Sequence, residues 1–212
     1  MAQVISVNVG MPREASWAGI GRTSIDKHAV SGPVAVGRLG LEGDQVSDTK
    51  YHGGVDQAVY AFSREDLDWW GTELGGEIRD GHFGENLTTR GIDVNESEVG
   101  ERWRIGSALF EVAMVRIPCN DFKNWQRLNG FDDRAWVKRF ALRARPGAYL
   151  RVLQEGEVQA GDDLAVVHQP GHGVTITTMF RALMTDHSLL PELRKVDGLA
   201  AVARRKLESF VG

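Results

Sequence analysis

Apolar and polar residues alternate in short stretches over most of the first 170 positions, and glycine interrupts the pattern at close intervals. This period of two predicts strands over Gln3–Val9, Ala29–Val36, Ala58–Phe62, Asn86–Thr89, Trp103–Ile105, Ala108–Arg116, Ala148–Leu153 and Asp163–Val167. Turns are expected at Gly37, Gly43, Gly53-Gly54, Gly100, Gly106, Gly156 and Gly161. Three stretches carry their apolar residues at intervals of three and four instead. They predict helices over Arg64–Leu74, with Ser63 as N-cap, and over Asp121–Leu128 and Asp133–Leu142. Beyond Gln169-Pro-Gly-His-Gly173 the helical spacing takes over, in Thr175–Met184, Leu189–Lys195 and Leu199–Phe210. Each of these is too short to be stable alone, so they must pack together or against a partner. The expected architecture is mainly β within an α+β class: a β-rich domain over residues 1–170, then a small three-helix segment over 171–212.

A chain of 212 residues with 42% hydrophobic and 25% charged content can bury one good core, as a soluble globular protein does. The start, Met-Ala-Gln-Val-Ile-Ser-Val, has no basic stretch ahead of an apolar segment, and no uncharged run approaches the ~18 residues of a membrane span. A cytoplasmic, soluble protein is expected, without a membrane partner. The net charge of −4 argues against general nucleic-acid binding. One local exception stands out: residues 134–145 carry Arg134, Lys138, Arg139, Arg143 and Arg145 and no acid. That run reads either as an attractor for a small anion or as a solvated helix face.

Several chemistries lack their motifs. No Gly-x-Gly-x-x-Gly follows a strand, and no Gly-x-x-x-x-Gly-Lys-Ser/Thr loop occurs, so neither a nicotinamide nor an ATP site is expected on this chain. The six histidines form no His-x-x-x-His on a helix, and with one cysteine a closed zinc site is not expected. A Ser-His-Asp triad has no Gly-x-Ser-x-Gly elbow to support it. No lysine stands in a recognisable Schiff-base context, so pyridoxal phosphate is not expected on this chain.

Three segments carry more chemistry than packing needs. The first runs from Gly40-Leu-Glu-Gly-Asp44 to Tyr51-His-Gly-Gly-Val-Asp56, where Gly53 and Gly54 after His52 allow positive φ or close approach to a ligand. A turn with a capping histidine is the plainer reading. The second is His82-Phe-Gly-Glu-Asn-Leu-Thr-Thr89, in which Glu85, Asn86, Thr88 and Thr89 offer hydrogen-bonding groups, or simply a strand end with its turn. The third is Arg116-Ile-Pro-Cys119. Proline suits a helix entry, so Cys119 falls near the N-terminus of the helix holding Phe122, Trp125 and Leu128. The helix dipole and Arg116 there both favour thiolate, while Asp121 opposes it. A lone cysteine is otherwise a small buried hydrophobe. It cannot form an intramolecular disulfide, which leaves a metal, a persulfide or a covalent intermediate as its chemistry.

In this order the segments resemble the MOSC family, named after the C-terminal domain of molybdenum cofactor sulfurases, and within it the YiiM-like branch. The resemblance rests on Leu39-Gly-Leu-Glu-Gly-Asp44, His52-Gly-Gly-x-Asp56-Gln-Ala-Val, Phe83-Gly-Glu-Asn-Leu-Thr-Thr89, Gly100-x-x-Trp-Arg-Ile-Gly106, Arg116-x-Pro-Cys119, and Tyr149-Leu-Arg-Val-Leu-x-Glu-Gly156 before Gly161-Asp. It implies a β-barrel-like domain that binds molybdopterin, with Cys119 as the molybdenum ligand and catalytic centre. A soft thiolate suits a metal already held by dithiolene sulfurs. On the same resemblance Arg116 and Arg139 are the candidate donors to the pterin phosphate. His52, Gly53, Gly54, Glu85, Asn86 and Thr88 are then candidates for holding the pterin edge or substrate. The chain departs from the branch after the cysteine, where Asn120-Asp-Phe-Lys-Asn-Trp125 replaces a Trp-Lys-Leu-like stretch.

The activity this implies is reduction of N-hydroxylated compounds, such as hydroxylaminopurines or amidoximes, to amines. One cysteine cannot ligate an iron–sulfur cluster, so electrons are expected from a separate flavin or iron–sulfur donor protein. Two alternatives remain open. Cys119 could instead carry a persulfide received from a pyridoxal-phosphate-dependent cysteine desulfurase. The chain could also be a non-enzymatic pterin- or partner-binding module, with Trp69 and Trp70 contributing to its docking surface, although burial in the core is the expected fate of at least one of them. Oligomeric state is left open.

Overall fold

The computed structural model describes residues 1–211 and places one large sheet at the centre. Its strands are β1 (Gln3–Val9), β3 (Val59–Ser63), β4 (Leu87–Arg90), β5 (Arg102–Ile105), β6 (Ala108–Val115), β7 (Ala148–Gln154) and β9 (Leu164–His168). Two further strands, β2 (Val34–Gly37) and β8 (Gly156–Val158), pair with each other in a smaller sheet that includes Gly40–Leu41. The large sheet runs β9-β5-β6-β7-β3-β4-β1, with His28–Ala29 added beyond β1. Every neighbouring pair is antiparallel except β3 and β4. That pair is linked through α1 (Arg64–Leu74), as a parallel connection requires a crossover. Backbone bonds between Val4 and Asp162 (2.9 Å), Gly161 and Val4 (2.8 Å), and Leu164 and Ala2 (2.9 Å) join β1 back to the start of β9 and close the sheet into a barrel.

The expected helices form with adjusted ends. Ser63 caps α1 by accepting the Asp66 N–H at 3.2 Å, and Gly75 ends it at φ 74°. Helix α2 (Asn120–Leu128) begins directly after Cys119, and α3 (Trp136–Arg143) starts three residues later than expected, because Ala135 lies in the left-handed region at φ 50°. The strand expected over Ala29–Val36 is broken by Gly32, at φ 79°, and by Pro33, which has no N–H to donate. Near the C-terminus, α4 (Ile176–Met184) is capped by Thr175 and α5 spans Ala201–Val211. Between them His187–Lys195 is 3₁₀ rather than α, since Pro191 within it cannot supply an i→i−4 bond. The apolar core continues without interruption from the barrel into these helices, through Ile176, Phe180, Leu190, Leu193 and Leu207.

An aromatic cluster fixes the position of α2. Trp70 of α1, Phe83 of the loop before β4, Phe122 of α2 and Trp136 and Phe140 of α3 are each at most 1% exposed. Their ring centroids lie 4.7 Å (Trp70–Trp136), 5.0 Å (Phe83–Phe122) and 5.1 Å (Phe122–Trp136) apart. Burial of each such side chain contributes about 1.5–3 kcal/mol. The residues just before α2, including Cys119, are therefore held by a rigid support. Of the two adjacent tryptophans in α1, Trp70 is in the core and Trp69 is only partly buried.

Candidate functional site

A cavity of about 130 Å³ opens between the barrel end, the segment from Arg22 to Lys27, the Asp44–Gly53 loop and the start of α2. Cys119, the one thiol of the chain, lines it at intermediate exposure. It occupies the N-cap position of α2, with extended backbone (φ −124°, ψ 173°) and no side-chain capping bond. The positive end of the helix therefore sits at the cysteine.

Arg116 lies at the inner end of the same cavity and is 7% exposed. Its Nη1 donates to Phe83 O at 2.6 Å, and its guanidinium stacks 4.1 Å from the Phe122 centroid and 5.3 Å from that of Tyr60. The Nε–H has no partner, and among the described residues no carboxylate forms an ion pair with this arginine. An arginine cannot shed its charge, so this is a buried cation without a protein counter-ion. Tyr60, Tyr149, Cys119 and Glu85 are all close enough to act on it.

The cavity floor is a polar network. Lys27 Nζ reaches both oxygens of Asp44, and each side chain is under 10% exposed. Asp44 also accepts from the Gly10 N–H (2.8 Å) and from Asn86 Nδ2 (2.9 Å). Asn86 Oδ1 in turn accepts the Tyr60 N–H at 3.1 Å. Burial lowers the Lys27 pKa, against the pull of Asp44. At the mouth, His52 lines the cavity beside Asp48 and Asp121, and its pKa falls through burial and the Arg116 charge. Asp121 accepts the Gly19 N–H (3.0 Å), Asn124 Nδ2 donates to Trp17 O (3.1 Å), and Trp17 stacks on Trp125 with centroids 6.0 Å apart. These contacts fasten the 15–21 loop to α2.

The candidate residues divide into three groups. His52, Gly53, Asn86, Arg116 and Cys119 converge on the cavity. Gly54 is exposed beside it, and Glu85 and Thr88 are fully buried behind its wall. Glu85 accepts from the Gly81 N–H and from Thr88 Oγ1 (3.2 Å), while its Oε2 has no partner. Burial pushes this carboxyl up to about 7. Arg139 is not among the cavity residues: it donates to Asp132 O at 3.2 Å and lies over Trp70. Three more of the basic run are likewise committed, Arg134 to Asp132, Arg143 to Asp66 and Arg145 to Asp66 and Asp93, while Lys138 is exposed. Lys27 and Tyr60 join the site without any local signal in the sequence, and Tyr149, which opens one of the family-like motifs, joins it without having been singled out as a site residue. Only their position in the closed barrel brings them there.

Comparison with known proteins bears on this arrangement. The MOSC domain description matches residues 48–165. Protein YiiM of Escherichia coli (strain K12) is 36% identical over 149 residues, covering 68% of this chain and 64% of that protein. A protein named Reductase from Gibberella moniliformis (strain M3125 / FGSC 7600) is 26% identical over 219 residues, covering 97% of this chain and 37% of that protein. The chain thus spans less than two thirds of the length of each of these two relatives. The crystal structure of YiiM from Geobacillus stearothermophilus superposes with a TM-score of 0.81 at 25% identity, covering 100% of both chains.

Proposed function

The chain belongs to the MOSC domain family, and on that premise we propose that it binds a molybdenum cofactor through Cys119 and reduces N-hydroxylated compounds to amines, with electrons from a partner protein. The similarity to YiiM and to a protein named Reductase supports an oxidoreductase-type role. The observation that carries the finer reading is Arg116, a buried cation with an unmatched N–H and, among the described residues, no carboxylate partner, in the same cavity as the one thiol of the chain. A buried charge without a counter-ion is costly, and an anionic ligand at that position removes the cost.

The residues present fit a pterin-bound metal. The Cys119 sulfur would supply one soft donor to such a group. Arg116 offers its free N–H to an oxyanion on the ligand, while Asn86, braced by Asp44 and Tyr60, shapes the floor. The bound group would supply the two-electron couple. Converting R–NHOH to R–NH₂ consumes two electrons and two protons and releases water. His52, neutral at pH 7 because burial and Arg116 lower its pKa, and Tyr149 both line the cavity and would orient the N-hydroxyl group.

The test is turnover. Protein made with ample molybdenum is supplied with dithionite-reduced viologen and an amidoxime or a hydroxylaminopurine. Amidine from the amidoxime, or amine from the hydroxylaminopurine, should form at one equivalent per two electrons, and Cys119→Ala should abolish it. No turnover, together with a gain of one sulfur atom on Cys119 after incubation with a cysteine desulfurase, would assign the chain to sulfur transfer instead.

A further inference from the structure

Glu85 is the one fully buried carboxyl beside the cavity that the proposed reaction does not use. It directly follows Gly84, whose backbone lies so close to Arg116 that an added Cβ would be 3.5 Å from Nη1. Arg116 Nη1 also holds Phe83 O, so the guanidinium runs along residues 83–84, immediately ahead of the carboxyl. One Glu85 oxygen serves Gly81 and Thr88, and the other has no partner. The charged and titratable groups facing it are Lys27 from the segment before His28, Tyr60 from β3, Asp80 from the loop after α1, and Arg116. Asp44 already takes up the Lys27 charge. Arg116 is therefore the uncommitted cation next to a carboxyl that forms no ion pair among the described residues.

We propose that Glu85 is a proton-coupled counter-charge for Arg116, so that the inner end of the cavity holds an oxyanion when Glu85 is protonated and releases it when Glu85 ionises. The inference rests on the anion-holding role given to Arg116 above. Its physical basis is field cancellation: in a buried setting an ionised carboxylate neutralises the attraction that a neighbouring guanidinium exerts on a third charge. Because burial pushes the Glu85 carboxyl to about 7, the change falls within the physiological range. Binding of the anion then draws one proton onto the protein.

Sulfate is the suitable probe, since it stays a dianion across neutral pH and only the protein titrates. Binding to the full chain, produced in cells that make no pterin cofactor, is measured by calorimetry at pH 6 and pH 8 in two buffers of different ionisation enthalpy. With a midpoint near 7, the dissociation constant should rise about tenfold from pH 6 to pH 8, with uptake of about one proton per sulfate at pH 8. Glu85→Gln should bind at both pH values with the pH 6 affinity of the wild type and take up no proton. His52→Gln and Cys119→Ser should each keep the tenfold change, which separates Glu85 from the imidazole and the thiol near Arg116. If Glu85→Gln fails to fold, the proton counts on wild type, His52→Gln and Cys119→Ser decide together, and loss of the uptake in either variant overturns the proposal. An affinity independent of pH, unchanged pH dependence in Glu85→Gln, or no sulfate binding at pH 6 overturns the proposal. The proposed reductase function is judged separately by turnover and cofactor content, so either can fail without the other.

Discussion

Replacing Glu85 by Gln should change how stability depends on pH, by an amount the structure sets. The side chain is fully buried, and burial raises its carboxyl from an ordinary 4.5 to about 7. At about 1.36 kcal/mol per unit this difference corresponds to about 3 kcal/mol. The folded state holds the proton more tightly than the unfolded state. The contribution is therefore complete below pH 4.5 and is lost as pH rises through 7. Gln keeps an acceptor for Gly81 and cannot ionise, so the variant escapes this loss. Relative to wild type, Glu85→Gln should gain about 3 kcal/mol between pH 5 and pH 8, or roughly 6–12 °C in melting temperature for a chain of this length. Thermal unfolding of both proteins by circular dichroism at pH 5, 6, 7 and 8, in sulfate-free buffer, reads this difference directly. All other groups titrate in both proteins and cancel. Parallel curves, or a gain that shrinks with rising pH, would refute the account of Glu85 as a carboxyl forced neutral by burial.

His82 should act in the opposite direction: it is 3% exposed, pushed down to about 4 by burial, and bonded to Gln126 Oε1 at 3.2 Å. Its contribution is present above pH 6.5 and lost as pH falls through 4, so the stability deficit of His82→Phe, measured in urea, should narrow from pH 7 to pH 4. Lys27→Met leaves the buried Asp44 carboxylate with only its Gly10 and Asn86 bonds and should cost about 3–5 kcal/mol by chemical unfolding; a cost under ~0.5 kcal/mol would mean the pair is not buried. Gly147→Ala places a Cβ 2.6 Å from Ala61 O and Phe62 Cδ2 at a φ of 72°, and should lose about 2–4 kcal/mol in the same assay.

The sequence reports elements whose physics is local and misses those whose physics is not. Helix α1 is legible because Ser63, the apolar spacing and Gly75 all lie within one short stretch. The MOSC motifs placed His52, Asn86, Arg116 and Cys119, which the fold gathers at one cavity. Lys27 was not legible, because its partner Asp44 is 17 residues away and reaches it only through the turn of the chain across the barrel end. The basic run from Arg134 to Arg145 looked free of acids for the same reason, since Asp66 and Asp93, which hold Arg145, come from distant segments. The early end of the strand after Ala29 and the 3₁₀ turn around Pro191 follow from prolines that an apolar pattern alone does not register.

If Cys119 and Arg116 together hold a molybdenum-bearing pterin, the composition of the purified protein must show it. Protein purified from molybdenum-replete cells, beside Cys119→Ala and Arg116→Met prepared identically, is analysed for metal by mass spectrometry and for pterin by fluorescence after oxidation. Wild type should contain molybdenum and pterin in equal amounts, Cys119→Ala should lose most of its molybdenum, and Arg116→Met should lose both. Wild type free of molybdenum and pterin, or Cys119→Ala with undiminished molybdenum, would contradict it.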